Sequence, residues 1–75
     1  MPNIKVYTDA SPSLEDVKKI IGGWVELIKL PDGSQLLVNE EGLIDNLELN
    51  LDASVLAKRP IVGDAVHLKD KARWK

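Results

Sequence analysis

Seventy-five residues, 44% hydrophobic and 29% charged, make one globular domain over residues 1–75, too short for two cores and too apolar to stay disordered. The absence of cysteine excludes disulfides and thiolate metal sites. A net charge of −2 and a pI near 5.2 exclude a global basic field that would draw the chain onto nucleic acid.

The core has to be aliphatic, because there is no Phe and the only aromatics are Tyr7, Trp24 and Trp74. A core of this size rarely supplies more than ~3–5 kcal/mol, so a homo-oligomer is an expected source of further stability. The apolar runs fall far short of the ~20 residues of a membrane span. The first residues lack a basic start followed by an apolar stretch. The expectation is a cytoplasmic protein with no membrane partner.

In chain order, Ile4, Val6 and Thr8 alternate with Lys5 and Tyr7 in the period of a first strand. Asp9 to Pro12 is turn chemistry. Ser13 is placed to cap a helix, with Asp16 at the capping-box offset. Leu14, Val17 and Ile20 or Ile21 follow at helical spacing, and Gly22 or Gly23 ends the helix. Trp24 to Leu30 is the second strand and Gln35 to Asn39 the third, joined through Pro31-Asp32-Gly33 as a tight hairpin. Trp24, Glu26, Ile28 and Leu30 share one face, and Val25, Leu27 and Lys29 the other. Neither face is cleanly polar, which predicts a hairpin covered on both sides over part of its length.

Glu40-Glu41-Gly42 turns the chain. Leu43, Ile44 and Leu47 lead to Asn50 or Asp52, either of which can cap a short helix over Ala53 to Lys58 that Pro60 stops. Ile61, Val62, Ala65, Val66 and Leu68 form the last β region, with Gly63-Asp64 as a bulge or hairpin turn within it. Lys69 to Lys75 is a basic C-terminal tail. The expected fold class is α+β: a small, mostly antiparallel sheet of about four strands with one main helix and a second short one.

Several groups stand out chemically. Asn39-Glu40-Glu41-Gly42 puts two carboxylates beside a carboxamide at a strand end, suited to a cation or a basic partner surface. Its simpler explanation is a solvated turn with Gly42 at positive φ and Asn39 bonding its own backbone. Trp24 with Glu26 would hold a base, an amine or an arginine on a half-covered face. Alternatively Trp24 fills the core while Glu26 pairs with a nearby lysine or lies on an edge strand. Lys71, Arg73, Trp74 and Lys75 have the composition of a nucleic-acid or nucleotide contact, and equally of a solvated terminus. The lone His67 reads as an outward strand residue, with no Ser or Cys partner indicated. Gly22-Gly23 follows a helix and precedes a strand, the reverse of a phosphate loop. No catalytic set, metal site or cofactor motif emerges.

At the hairpin the chain resembles a family of small, mostly phage- and mobile-element-encoded proteins known as a domain of unknown function, DUF3846. The resemblance rests on Ile21-Gly22-Gly23-Trp24-Val25-Glu26, Leu30-Pro31-Asp32-Gly33 and Val38-Asn39-Glu40-Glu41-Gly42. It extends to Asn50 with Ala53 and to Ile61-Val62-Gly63-Asp64-Ala65-Val66, spanning about Ser13 to Leu68. The sequence departs from that pattern at Asn46 and Glu48, where Gly and Pro are expected. What the resemblance implies is context: a non-enzymatic accessory protein that modulates or inhibits a host factor, including counter-defence. Such a protein would mask a host protein or sequester a small nucleotide signal, with Trp24, Glu26, Asn39, Glu40, Glu41 and Asn50 as candidate binding residues. The alternative is a nucleic-acid-associated regulator acting through Lys71, Arg73, Trp74 and Lys75.

Overall fold

A computed structural model describes residues 2–42 and 46–75. Its sheet has four strands, β1 (Ile4–Tyr7), β2 (Val25–Lys29), β3 (Gln35–Asn39) and β4 (Ala65–Leu68), in the spatial order β1-β4-β3-β2. β4 lies parallel to β1 and antiparallel to β3, which is antiparallel to β2. With helices α1 (Leu14–Ile21) and α2 (Leu51–Ala57), the fold is α+β with a mixed, mostly antiparallel sheet.

The alternation of β3 shows how the layers are arranged. Leu36 and Val38 point to one face, where they pack with Ala65, Leu30, Ile61 and Ala53 of α2. Leu37 points to the other, where it packs with Val66, Leu68 and with Val17 and Ile21 of α1. Each helix therefore covers one face, and the two central strands are buried on both. This is why β3 and β4 read as near-continuous apolar runs rather than as alternating ones.

Local chemistry sets the ends of the elements. Ser13 Oγ accepts from Asp16 N at 3.1 Å and starts α1. Gly22 ends it in the left-handed conformation, φ 83°, its N–H donating to Lys18 O at 2.7 Å. The hairpin closes through Leu30 N to Ser34 O and Gly33 N to Leu30 O. Of the two candidate caps for α2, Asn50 does the work: its Oδ1 accepts from Ala53 N at 3.1 Å. Asn46, at the position where glycine is the expected residue, takes φ 57°, a conformation asparagine tolerates better than most. The expected contributions of Leu43 and Ile44 lie outside the described residues.

The start of β2 and the course of the last β region differ from expectation, and α2 runs Leu51–Ala57 rather than Ala53 to Lys58. β2 begins at Val25, leaving Trp24 outside the strand. The last β region is divided. Val62 bridges antiparallel to Leu49 ahead of α2, and only Ala65–Leu68 joins the sheet. Gly63-Asp64 is thus the break between a side bridge and the sheet, because Ile61 O and Gly63 N are already bonded to Asn50 N and Glu48 O.

The C-terminal segment is also docked rather than a solvated tail. Asp70–Ala72 forms one 3₁₀ turn, Ala72 is fully buried, and Trp74 packs beside the α1 cluster. Ser11 Oγ donates to Ala72 O at 2.8 Å and Trp74 Nε1 to Pro12 O at 3.1 Å. Gln35 clamps the Trp74 backbone in both directions at 2.6 Å.

Asn50 ties these parts together. It is 2% exposed, and its Nδ2 donates to Gly63 O at 2.9 Å and to Asn3 O at 3.2 Å. One side chain thus caps α2, holds the break before β4 and reaches the segment leading into β1. Asn50→Ala removes the cap and strands two carbonyls, so urea denaturation should show a loss of roughly 2–4 kcal/mol. Asp52→Ala, at the exposed neighbouring position, should stay within about 0.5 kcal/mol of the parent.

Candidate functional site

The register of the hairpin brings the acidic residues together. Glu26 lies opposite Val38 and Val25 opposite Asn39, so Glu26 and the Asn39-Glu40-Glu41 turn meet at one end of the β2–β3 ladder. The segment leaving α2 closes the other side. The result is a cleft of about 470 Å³ whose polar wall is Glu26, Asn39, Glu40, Glu41 and Arg59, with Pro60, Ile61 and Val62 as apolar surface. Arg59 Nη2 donates to Glu26 Oε2 at 2.8 Å, and both side chains are close to half exposed. The Glu26 that looked misplaced in an apolar strand is therefore paired across the cleft, with an arginine rather than a lysine. Three carboxylates face one guanidinium, so the cleft is acidic.

The turn itself is tightly built. Asn39 is buried, and its Oδ1 accepts from Glu41 N at 2.8 Å, the local backbone bond expected of such a residue. Glu40 N donates to Trp24 O at 2.9 Å, fastening the turn to the residue before β2. Gly42 does not adopt positive φ. Glycine is required there because a Cβ would stand 2.6 Å from Val62 Cγ2. That close approach draws the acidic turn against the Val62 side of the cleft.

Other expected site residues lie elsewhere. Trp24 is 62% exposed and outside the cleft walls, with Lys18 Nζ 4.1 Å from its ring centroid. It neither fills the core nor shares a site with Glu26. The Lys18 ammonium stands over one face of the ring, while most of the indole stays exposed. Asn50 is the buried cap described above and presents nothing to a ligand. Lys71, Arg73, Trp74 and Lys75 come together with Gln35 and Asp70 around a second groove of about 540 Å³. Gln35 and Asn39 are the two ends of β3, so the basic groove and the acidic cleft sit at opposite ends of one strand.

His67 does have a serine partner. It is 8% exposed, and its Nε2 lies 2.9 Å from Ser34 Oγ in the hairpin loop. Ser34 Oγ donates to Asp32 Oδ1 at 2.5 Å, and Ser34 N donates to the same oxygen at 2.9 Å. With its proton on Asp32, Ser34 accepts from His67 Nε2–H. The direction of donation is the reverse of a serine nucleophile activated by histidine. The array instead braces the hairpin loop against β4. The sequence signal for it was faint: Asp-x-Ser is an ordinary turn pattern, and only the β3–β4 register, Leu36 opposite His67, brings His67 to that loop.

Burial holds the His67 imidazole below its ordinary value of 6.5; Lys69 pushes the same way and Asp32 opposes both. The Ser34 hydroxyl and then the Ser34 N–H hold Asp32 below 3.8. As pH falls through 6.5, the unfolded chain takes up a proton that the folded histidine resists, so stability declines through that window. Below 3.8 the unfolded chain gains a second advantage as Asp32 is protonated. Urea midpoints measured from pH 8 to pH 5 should therefore fall. His67→Gln, which keeps a donor for Ser34, should flatten that decline; an unchanged slope would assign it to other groups.

No curated protein and no solved structure matches the chain. A family model does, over residues 2–73, a span that takes in the cleft and the docked C-terminal segment as far as Arg73. The chain belongs to the family described as Domain of unknown function (DUF3846).

Proposed function

We propose that the protein is a non-enzymatic binding module whose acidic cleft receives a basic side chain of a partner protein. One observation carries the reading: Glu26 of β2 and the neighbouring Glu40 and Glu41 of the turn after β3 converge with the distant Arg59 on one walled cleft. The Glu26–Arg59 pair is an internal example of the contact a partner's arginine would make there. Glu40 and Glu41 bring the uncompensated charge, and Pro60 and Val62 offer apolar surface along which the methylene stem of a lysine or arginine can lie. Rim carboxylates of this kind raise the association rate and select partners by charge more than they add affinity. The reading fits the accessory role that the DUF3846 resemblance implies, a phage or mobile-element protein masking a basic surface on a host factor. A nucleotide is the poorer occupant, since its phosphates would meet three carboxylates.

Pull-down from host-cell lysate, read by mass spectrometry, tests this with a Glu40→Gln/Glu41→Gln variant beside the parent. The variant should lose the captured proteins, and association with an isolated partner should slow by roughly tenfold in low salt. An unchanged captured set removes the cleft from the function. Arg59→Gln probes the same site with the opposite sign. By freeing Glu26 it should tighten binding of a basic partner, while lowering stability by less than about 1 kcal/mol because the pair is exposed.

A further inference from the structure

The groove at the other end of β3 has the opposite chemistry. Lys71, Arg73 and Lys75 line it with Gln35, Trp74 and Asp70, giving three cationic side chains against one carboxylate. Lys29, the cross-strand partner of Gln35, lies on the same face of the sheet. None of these four cations is in a salt bridge among the described residues, where the Glu26–Arg59 pair is the one formed. Arg73 bonds the backbone carbonyl of Asp70, at 3.1 Å from Nε, rather than its carboxylate.

The groove is a constructed surface, not a free tail. Gln35 uses both amide atoms on the Trp74 backbone, and Ser11 holds Ala72 from the other side. Arg73 Nη1 also donates to Gly33 O at 3.0 Å. The guanidinium is therefore fixed at two of its five N–H groups, leaving three donors in a set geometry. The Trp74 indole is anchored to Pro12 and packed beside the α1 cluster, so it serves as a wall more than a stacking plate. A pre-positioned fork flanked by flexible ammonium groups recognises phosphate oxygens, and with the ring engaged it recognises them without reading a base.

We infer that this groove, formed where the docked C-terminal segment crosses the Gln35 end of β3, is a binding site for a phosphate-bearing ligand, independent of the acidic cleft. Amide NMR titration of the full chain tests it with two probes, inorganic pyrophosphate and a ten-nucleotide oligothymidylate. At least one probe should give saturable shifts in the amides of residues 70–75 and in the Trp74 indole N–H. Pyrophosphate alone binding identifies a small phosphorylated molecule. Tighter binding of the oligonucleotide, falling steeply with salt, identifies a single strand. Lys71→Gln/Lys75→Gln should weaken the binding by roughly tenfold or more, as expected for lost hydrogen bonds to a charged group. Lys5→Gln/Lys58→Gln, with the same change in net charge elsewhere, should leave it intact, as should Glu40→Gln/Glu41→Gln. Saturation by neither probe, or equal weakening in the Lys5/Lys58 control, overturns the assignment.

Discussion

The constraint on which the structure rests is that its two central strands are buried on both faces. Leu36, Leu37, Val66 and Leu68 are fully buried, and neither face of β3 or β4 can be left to water. A chain of 75 residues has room for little more than one short helix per face. The rest follows from meeting that demand: α1 must lie on the Leu37 side, α2 on the Leu36 side, and the connections must run around the sheet edges.

Burial on both faces also determines where polar chemistry can sit. A strand with apolar neighbours above and below it carries polar groups at its ends, and β3 places Gln35 at one end and Asn39 at the other. Gln35 holds the docked segment with Lys71, Arg73 and Lys75, while Asn39 orders the turn with Glu40 and Glu41. The acidic cleft forms with the segment leaving α2, and the basic groove with the segment crossing beside α1. A modest net charge of −2 thus conceals two concentrated patches of opposite sign at opposite ends of the same strand. Composition averages them away.

What the sequence revealed and what it concealed divide along the same physical line. Caps, turns and periodicities depend on residues a few positions apart, and Ser13, Gly22, the Pro31-Asp32-Gly33 hairpin and Asn50 could be read from local chemistry. The acidic turn and Glu26 were visible as unusual residues, but their meeting depends on hairpin register and on where α2 ends. Nothing in the local sequence marked Arg59 as the partner of Glu26. Ser34 with His67 and Gln35 with Trp74 are 33 and 39 residues apart, joined by tertiary placement that no local pattern encodes. The tail misled for a related reason: alternating charges imply solvation, whereas Ala72 and Trp74 between them supply the apolar contacts that dock it.

Those long-range polar contacts carry more of the fold's specificity than their number suggests. The core has no phenylalanine, and its tryptophans are peripheral: Trp24 is exposed and Trp74 is half-buried at the margin of a cluster. An aliphatic core this small leaves only a few kcal/mol of margin, and packed Leu, Ile and Val side chains by themselves specify register weakly. Side chains bonded to distant backbone or to one another supply the missing selection. Asn50 joins α2 to the entrances of β1 and β4, Ser34 joins the hairpin loop to β4, and Gln35 joins the hairpin to the C-terminal segment. Each would leave a buried donor or acceptor unpaired if the chain slipped by a residue, at a cost of about 1–3 kcal/mol, a large share of so small a margin. The same polar anchors hold both candidate surfaces in shape, so in this fold the specification of register and the construction of its binding surfaces are one task.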